Sequence, residues 1–281
     1  MPGGPTGIVG IGLIGGSLAL ALRRAHPGAR LVGVDCGPAI DRAKALGALD
    51  EVGPDLSLLA GAELVVLAAP VRQNTELLRE LSAVLAGPVL ITDTGSTKRA
   101  VLEAARALPP QISFVGGHPL AGAARAGATA ARADLFEGRR WLITPSAATR
   151  RPEDVERVAA MAETVGATPQ TIDAVVHDRL TAFLSHLPQL TASALMEVVG
   201  GGVGAEGLAL AGPGLADTTR LASSPTGIWR DICETNADAI APALDALIET
   251  LQRLRGDLTQ GDAVEEVFAS ARRWRGILES R

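Results

Sequence analysis

Continuous apolar runs of strand length, separated by helical segments, constrain the first half of this chain more than any other feature. Glu63 to Ala69 (ELVVLAA) and Pro88 to Asp93 (PVLITD) are runs of this kind. A strand with one face in water alternates apolar and polar residues. A continuous run is buried on both faces, which points to a parallel sheet covered by helices. Thr6 to Gly10 and Leu31 to Asp35 read as further strands. Between the runs lie helical segments at Gly15 to Arg24, Ala39 to Leu46, Thr75 to Leu85 and Lys98 to Leu108. This cadence predicts βαβ units. Strands are also expected at Ile112–Val115, Trp141–Thr144 and Thr168–Ile172. A helix from Pro152 to Val165, with proline at its start, joins the last two.

After Asp173 the texture changes. Ala174 to Val199 has helical spacing throughout, and Pro188 is expected to kink it. A Gly-rich segment follows (Gly200 to Gly214), then amphipathic helices at Ala237–Leu254 and Asp262–Ile277. No strand pattern returns. The expected organisation is an α/β domain over residues 1–173, with a doubly wound, mostly parallel sheet, and an all-helical domain over 174–281.

Composition bounds the partners. With 281 residues, 47% of them hydrophobic, the chain can bury large cores, but aromatics are only 2%, so Leu, Val, Ile and Ala must do the packing. A net charge of −5 argues against nucleic acid or an anionic membrane as the main partner. The arginines at 272, 273, 275 and 281 read as the solvated face of a last helix. Cys36 and Cys233 lie far apart and match no metal-ligand spacing, which fits a reducing cytoplasm and no metal. Ile8 to Leu22 is apolar enough to imitate a signal peptide, but no basic residue precedes it. A soluble, cytoplasmic protein is expected.

Gly10-Ile11-Gly12-Leu13-Ile14-Gly15 forms a Gly-x-Gly-x-x-Gly motif. It follows a strand, opens a helix, and precedes Asp35 at the end of the next strand, as in a Rossmann dinucleotide site. Gly10 permits the tight turn, Gly12 lets the backbone approach a pyrophosphate, and Gly15 lets helix and strand pack closely. The phosphates then sit at the positive end of the helix. Asp35 accepts hydrogen bonds from ribose hydroxyls and repels a 2′-phosphate, so NAD is expected rather than NADP. Leu13, Ile14, Ala69 and Pro70 join the cofactor-binding set.

Other segments carry chemistry. Asp93-Thr94-Gly95-Ser96-Thr97-Lys98 leaves the sheet edge at which α/β folds bind ligands. Ser96 or Thr97 either faces a ligand or caps the next helix. Lys44 and Lys98 are the chain's only lysines. Gly116-Gly117-His118-Pro119-Leu120-Ala121-Gly122 reads as a loop presenting one imidazole, suited to proton transfer near neutral pH. Ser185-His186-Leu187-Pro188 lies inside the long helix. Asp217-Thr218-Thr219-Arg220 either pairs Arg220 with Asp217 or offers it to an anion, and Trp229-Arg230-Asp231 follows.

Together these segments resemble prephenate/arogenate dehydrogenases of tyrosine biosynthesis, from about Gly7 to about Ile277. The motifs are GIGLIGGS (Gly10 to Ser17), DTGSTK (Asp93 to Lys98), GGHPLAG (Gly116 to Gly122), SHLPQL (Ser185 to Leu190) and DTTRLASSPTGIWRDI (Asp217 to Ile232). The resemblance implies a catalytic His118 bonded to the C4 hydroxyl of the substrate ring, and a Ser96 bonded to both. It implies that His186 positions substrate and nicotinamide, and that Arg220 binds a carboxylate, with Gly122 and Trp229 also at the substrate. It further implies a homodimer through the helical domain and oxidative decarboxylation of prephenate, with arogenate as the alternative substrate. Ala123-Ala124 departs from the acidic residue found near there in some similar prephenate enzymes. No appended regulatory or mutase domain is expected after the last helix. A 3-hydroxyacid dehydrogenase would need a lysine on the helix after the sheet, and Ala174 to Val199 has none. An NAD-sensing binding protein would give no reason for His118, His186 and Arg220 together.

Overall fold

The structure is a computed structural model describing residues 4–122 and 127–280. Strands β1 (Thr6–Val9), β2 (Leu31–Val34), β4 (Leu64–Leu67) and β5 (Val89–Asp93) are buried at every residue. Their continuous apolar character follows from the alternation of side chains across a strand. Ile8, Leu64, Val66 and Leu90 enter one core, on the face covered by α1 (Leu13–Ala25) and α5 (Glu153–Thr164). Val9, Val65, Leu67, Val89 and Ile91 enter the other, beneath α3 (Val71–Val84) and α4 (Arg99–Ala105). Both faces need apolar residues, so no polar alternation remains.

The sheet has the order β3-β2-β1-β4-β5-β6-β7-β8, in which β3 is Glu51–Gly53, β6 Ile112–Pro119, β7 Arg140–Thr144 and β8 Thr168–Thr171. A short helix α2 (Ala39–Ala45) precedes β3. The first six strands are parallel, β7 runs antiparallel to β6, and β8 is parallel to β7. This is a doubly wound sheet whose order reverses between β1 and β4, the crevice where such sheets take ligands.

Gly116-Gly117-His118-Pro119 is strand, not loop. Ile112 to Val115 pair with β5, and Gly116 to Pro119 then pair with β7, His118 opposite Leu142. Glycine and proline mark loops locally, but the β7 backbone supplies pairing that no local signal reveals. β3, three residues long, was too short to register as periodicity.

Beyond the sheet come α6 (Ala174–Thr181), a single π-helical turn (Ala182–His186) and α7 (Leu187–Leu208). Then follow α8 (Pro213–Thr219), α9 (Thr226–Thr235), α10 (Ala237–Gly256) and α11 (Asp262–Glu279). The Gly-rich segment is helical as far as Leu208, broken only at Gly204 with φ 63°, and α9 is a further helix beyond those the periodicity predicts. The buried apolar centre of these helices is small: Ala182, Ile232 and Ile240, with Leu190 and Trp229 against it. Among the described residues no helix is long and apolar enough to cross a membrane.

Candidate active site

The turn from β1 into α1 is built as a dinucleotide cradle requires. Gly10 has φ +89°, and a Cβ on Gly15 would lie 2.0 Å from the Gly10 carbonyl oxygen. A side chain at either position is excluded by backbone. Gly12, by contrast, faces open space, so a ligand can approach its backbone closely. Asp35, half-buried, accepts hydrogen bonds from the Ile11 amide (2.6 Å) and the Cys36 amide (2.7 Å), which binds the end of β2 to the glycine turn.

A cavity of about 680 Å³ opens beside this turn. It joins the two halves of the chain: Gly12, Leu13, Ile14, Ala69, Pro70, Ser96, His118 and Gly122 come from the sheet side, and Arg220 and Trp229 from the helices. Gly10, Gly15 and Asp35 are outside its lining, as is His186. The Ala123-Ala124 departure lies outside the described residues.

His118 is half-buried on β6, with Nδ1 2.9 Å from Nε2 of His177 on α6. Burial, then the neighbouring His177, Lys98 and His186, hold its pKa well below 6.5. It is therefore a neutral imidazole across the physiological range. His177 is fully buried, and its Nδ1 lies 2.8 Å from Oδ1 of Asp178. Asp178 also accepts from the Lys98 amide (2.7 Å), the Arg99 amide (3.0 Å) and the Arg99 Nε (3.1 Å). Burial alone would raise its pKa, but the His177 and amide hydrogen bonds hold it below the usual carboxylate range. Asp178 thus caps α4 from a different part of the chain. Neither Ser96 nor Thr97 does so: Ser96 lines the cavity and Thr97 bonds the Thr235 hydroxyl at 2.8 Å.

Lys98 is fully buried. It pairs with Asp93 and donates to the Gly117 carbonyl at 2.8 Å. Asp93 in turn accepts from the Gly95 amide (2.9 Å) and the Gly117 amide (3.0 Å). This pair ties the DTGSTK segment to β6 directly below His118. Its ammonium faces Asp93 and not the cavity.

His186 is 1% exposed and reaches the cavity wall only through Trp229, whose ring stands edge-on to it at 6.0 Å. The Asn236 amide, oriented by Arg99 donating to its oxygen at 3.0 Å, turns Nδ2 toward Nδ1 of His186 at 3.2 Å. Burial, with His177 adding to it against the opposing pull of Asp178, lowers the His186 pKa to about 4. Arg220 is exposed at the cavity, and among the described residues it pairs with no carboxylate, Asp217 included.

Sequence reading missed His177, Asp178 and Asn236. His177 is one of four histidines in the chain, and that scarcity was the available signal. Its pairing with His118, 59 residues earlier, is tertiary.

Residues 18–170 match the sequence profile described as prephenate dehydrogenase, nucleotide-binding domain, and residues 173–270 match its dimerization domain. The chain is 35% identical over 268 residues to a prephenate dehydrogenase of Bacillus subtilis, covering 93% of this chain and 71% of that one. It is 32% identical to a cyclohexadienyl dehydrogenase of Zymomonas mobilis, covering 97% and 95%. Among solved structures it resembles the Aquifex aeolicus prephenate dehydrogenase in complex with hydroxyphenyl propionate and NAD+. That match has a TM-score of 0.89 and 29% identity, over 99% of each chain. A 3-hydroxyisobutyrate dehydrogenase of Salmonella typhimurium, 16% identical with a TM-score of 0.60, shares the fold alone.

Proposed function

The chain belongs to the prephenate dehydrogenase family, and on that premise we propose that it oxidatively decarboxylates prephenate to 4-hydroxyphenylpyruvate with NAD. The observation that carries this reading is the pairing, in one cavity, of a neutral imidazole with a guanidinium that no carboxylate among the described residues engages. Prephenate, a dianion bearing a ring hydroxyl, needs both.

The glycine turn and the N-terminus of α1 suit a pyrophosphate, and Asp35 keeps lone pairs for ribose hydroxyls. When bound, NAD supplies the hydride acceptor. His118 accepts the hydrogen bond of the C4 hydroxyl at Nε2, the ring nitrogen not engaged by His177. As the C4 hydride departs, the hydroxyl proton shifts toward that nitrogen. The carboxylate at C1 leaves as carbon dioxide, its electron pair enters the ring, and the proton returns to what becomes the phenol oxygen. Ser96 lies beside the same hydroxyl, Arg220 takes a carboxylate, and Gly122 and Trp229 bound the substrate. His186 supports Trp229 from behind. The reading also divides the chain after Asp173 and makes it a homodimer through the helices, which leave Leu251, Phe268 and Trp274 more than half exposed.

The test is NADH formation from prephenate and NAD, with arogenate in a parallel reaction. Turnover of prephenate is expected to exceed that of arogenate. Because the His118 pKa is depressed, the rate should hold level as pH falls through 6.5 and decline only well below it. No NADH from prephenate would refute the reading, and faster turnover of arogenate would reassign the substrate to the amino analogue.

A further inference from the structure

We infer that Asp178 and His177 form a positioning relay that fixes the tautomer of His118, leaving its Nε2 as a bare acceptor. This rests on the proposed role of His118 and goes beyond it, since it assigns two residues that do not line the cavity.

The Asp178 carboxylate sets the proton positions. Oδ2 of Asp178 receives the Arg99 amide and Nε, and Oδ1 receives the Lys98 amide and faces Nδ1 of His177. An ionised carboxylate only accepts hydrogen bonds, so Nδ1 of His177 carries the proton. In the neutral ring Nε2 then holds a lone pair. At 2.9 Å from Nδ1 of His118, that lone pair demands a proton on the His118 nitrogen. Nε2 of His118 is consequently unprotonated, the form that takes a hydrogen bond from a substrate hydroxyl. The opposite tautomer would present an N–H to that hydroxyl and would not draw off its proton.

Rigidity makes the assignment directional. Asp178 cannot turn away from His177 without releasing both amides at the start of α4. Arg99, which also bonds it, is held in a two-pronged pair with Asp238 at 2.6 Å on each arm. When the substrate proton shifts onto Nε2, the His118 ring gains positive charge and donates more strongly to His177. The Asp178 carboxylate then stabilises that charge through His177. His177 and Asp178 lie outside the cavity lining and act only through His118.

Two measurements test the relay. In the unmodified, ¹⁵N-labelled protein, the His118 ring, identified by its loss in His118→Asn, should show a protonated Nδ1 and an unprotonated Nε2. A protonated Nε2 in the neutral ring would overturn the relay. The second uses His177→Phe, which leaves the Asp178 bonds to the Lys98 and Arg99 amides in place. Its kcat should fall by about 10²- to 10⁴-fold, the range for general acid–base groups, with NAD affinity kept and the His118 tautomer no longer held. A variant of lower melting temperature but unchanged kcat would assign His177 a structural role only and end the proposal. The NMR result does not depend on turnover. If the unmodified enzyme fails to oxidise prephenate, the substrate reading falls while the tautomer still decides the relay.

Discussion

At the scale of single residues, the active-site chemistry is a matter of which polar groups are already engaged. Lys98 is committed to Asp93 and the Gly117 carbonyl, Arg99 to Asp178 and Asp238, and Asn236 to the Asp178 carbonyl. Arg220 is different, because its guanidinium lines the cavity without a carboxylate partner among the described residues. A hydrogen bond to a charged group is worth about 1.5–3 kcal/mol, or roughly 10- to 150-fold in affinity. Arg220→Ala should therefore raise KM for prephenate by about that factor. Its effect on kcat should be smaller, since the carboxylate is bound alike in ground and transition states. The melting temperature should not change. A destabilised variant with normal KM would return Arg220 to a structural role.

At the scale of elements, the π-turn between α6 and α7 accounts for a proline that a regular helix would not accept. Pro188 enters at the start of α7, just past the widened turn Ala182–His186. Proline is tolerated in the first turn of a helix, where no amide donor is required. The same turn puts exposed Ser185 on the cavity and buries His186 next to it. That burial has a consequence for pH. The His186 pKa is about 4 in the folded protein against 6.5 for an ordinary histidine. As pH falls below 6.5 the unfolded chain therefore takes up a proton that the folded chain refuses. The folding stability tied to His186 is complete above pH 6.5 and declines between 6.5 and about 4, by on the order of 3 kcal/mol. Denaturant titrations at neutral and mildly acidic pH should give a steeper loss for the unmodified protein than for His186→Gln. Parallel losses in the two proteins would contradict this.

At the scale of the whole molecule, the two halves are unequally furnished with core. Each face of the sheet buries a large apolar cluster, whereas the apolar cluster of the helices holds three buried residues, and the helices leave Val198 (72%), Leu210 (89%), Leu258 (71%) and Phe268 (62%) exposed. Apolar surface on this scale marks an interface. Sedimentation should give the mass of two chains. Phe268→Glu combined with Trp274→Glu should shift it toward one, because a charge buried at an apolar contact lacks a partner. A single-chain mass for the unmodified protein would rule out the dimer.

Local order along the chain determined the parallel sheet and the glycine turn, and it singled out His118 as a candidate. These depend on residues close in sequence: runs that are apolar on both faces, glycines at fixed offsets, and an imidazole between glycine and proline. The sequence alone did not establish that GGHP is strand, because its partner β7 lies more than twenty residues on. Nor did it identify what caps α4, since Asp178 arrives there from 80 residues away. The choice between an ion pair and an open guanidinium at Arg220 was equally undecided, because spacing places Asp217 within reach without turning it inward. Tertiary structure decided these points for one reason. Hydrogen-bond partners and proton positions depend on which groups meet in space, and spacing along the chain does not say which groups those are.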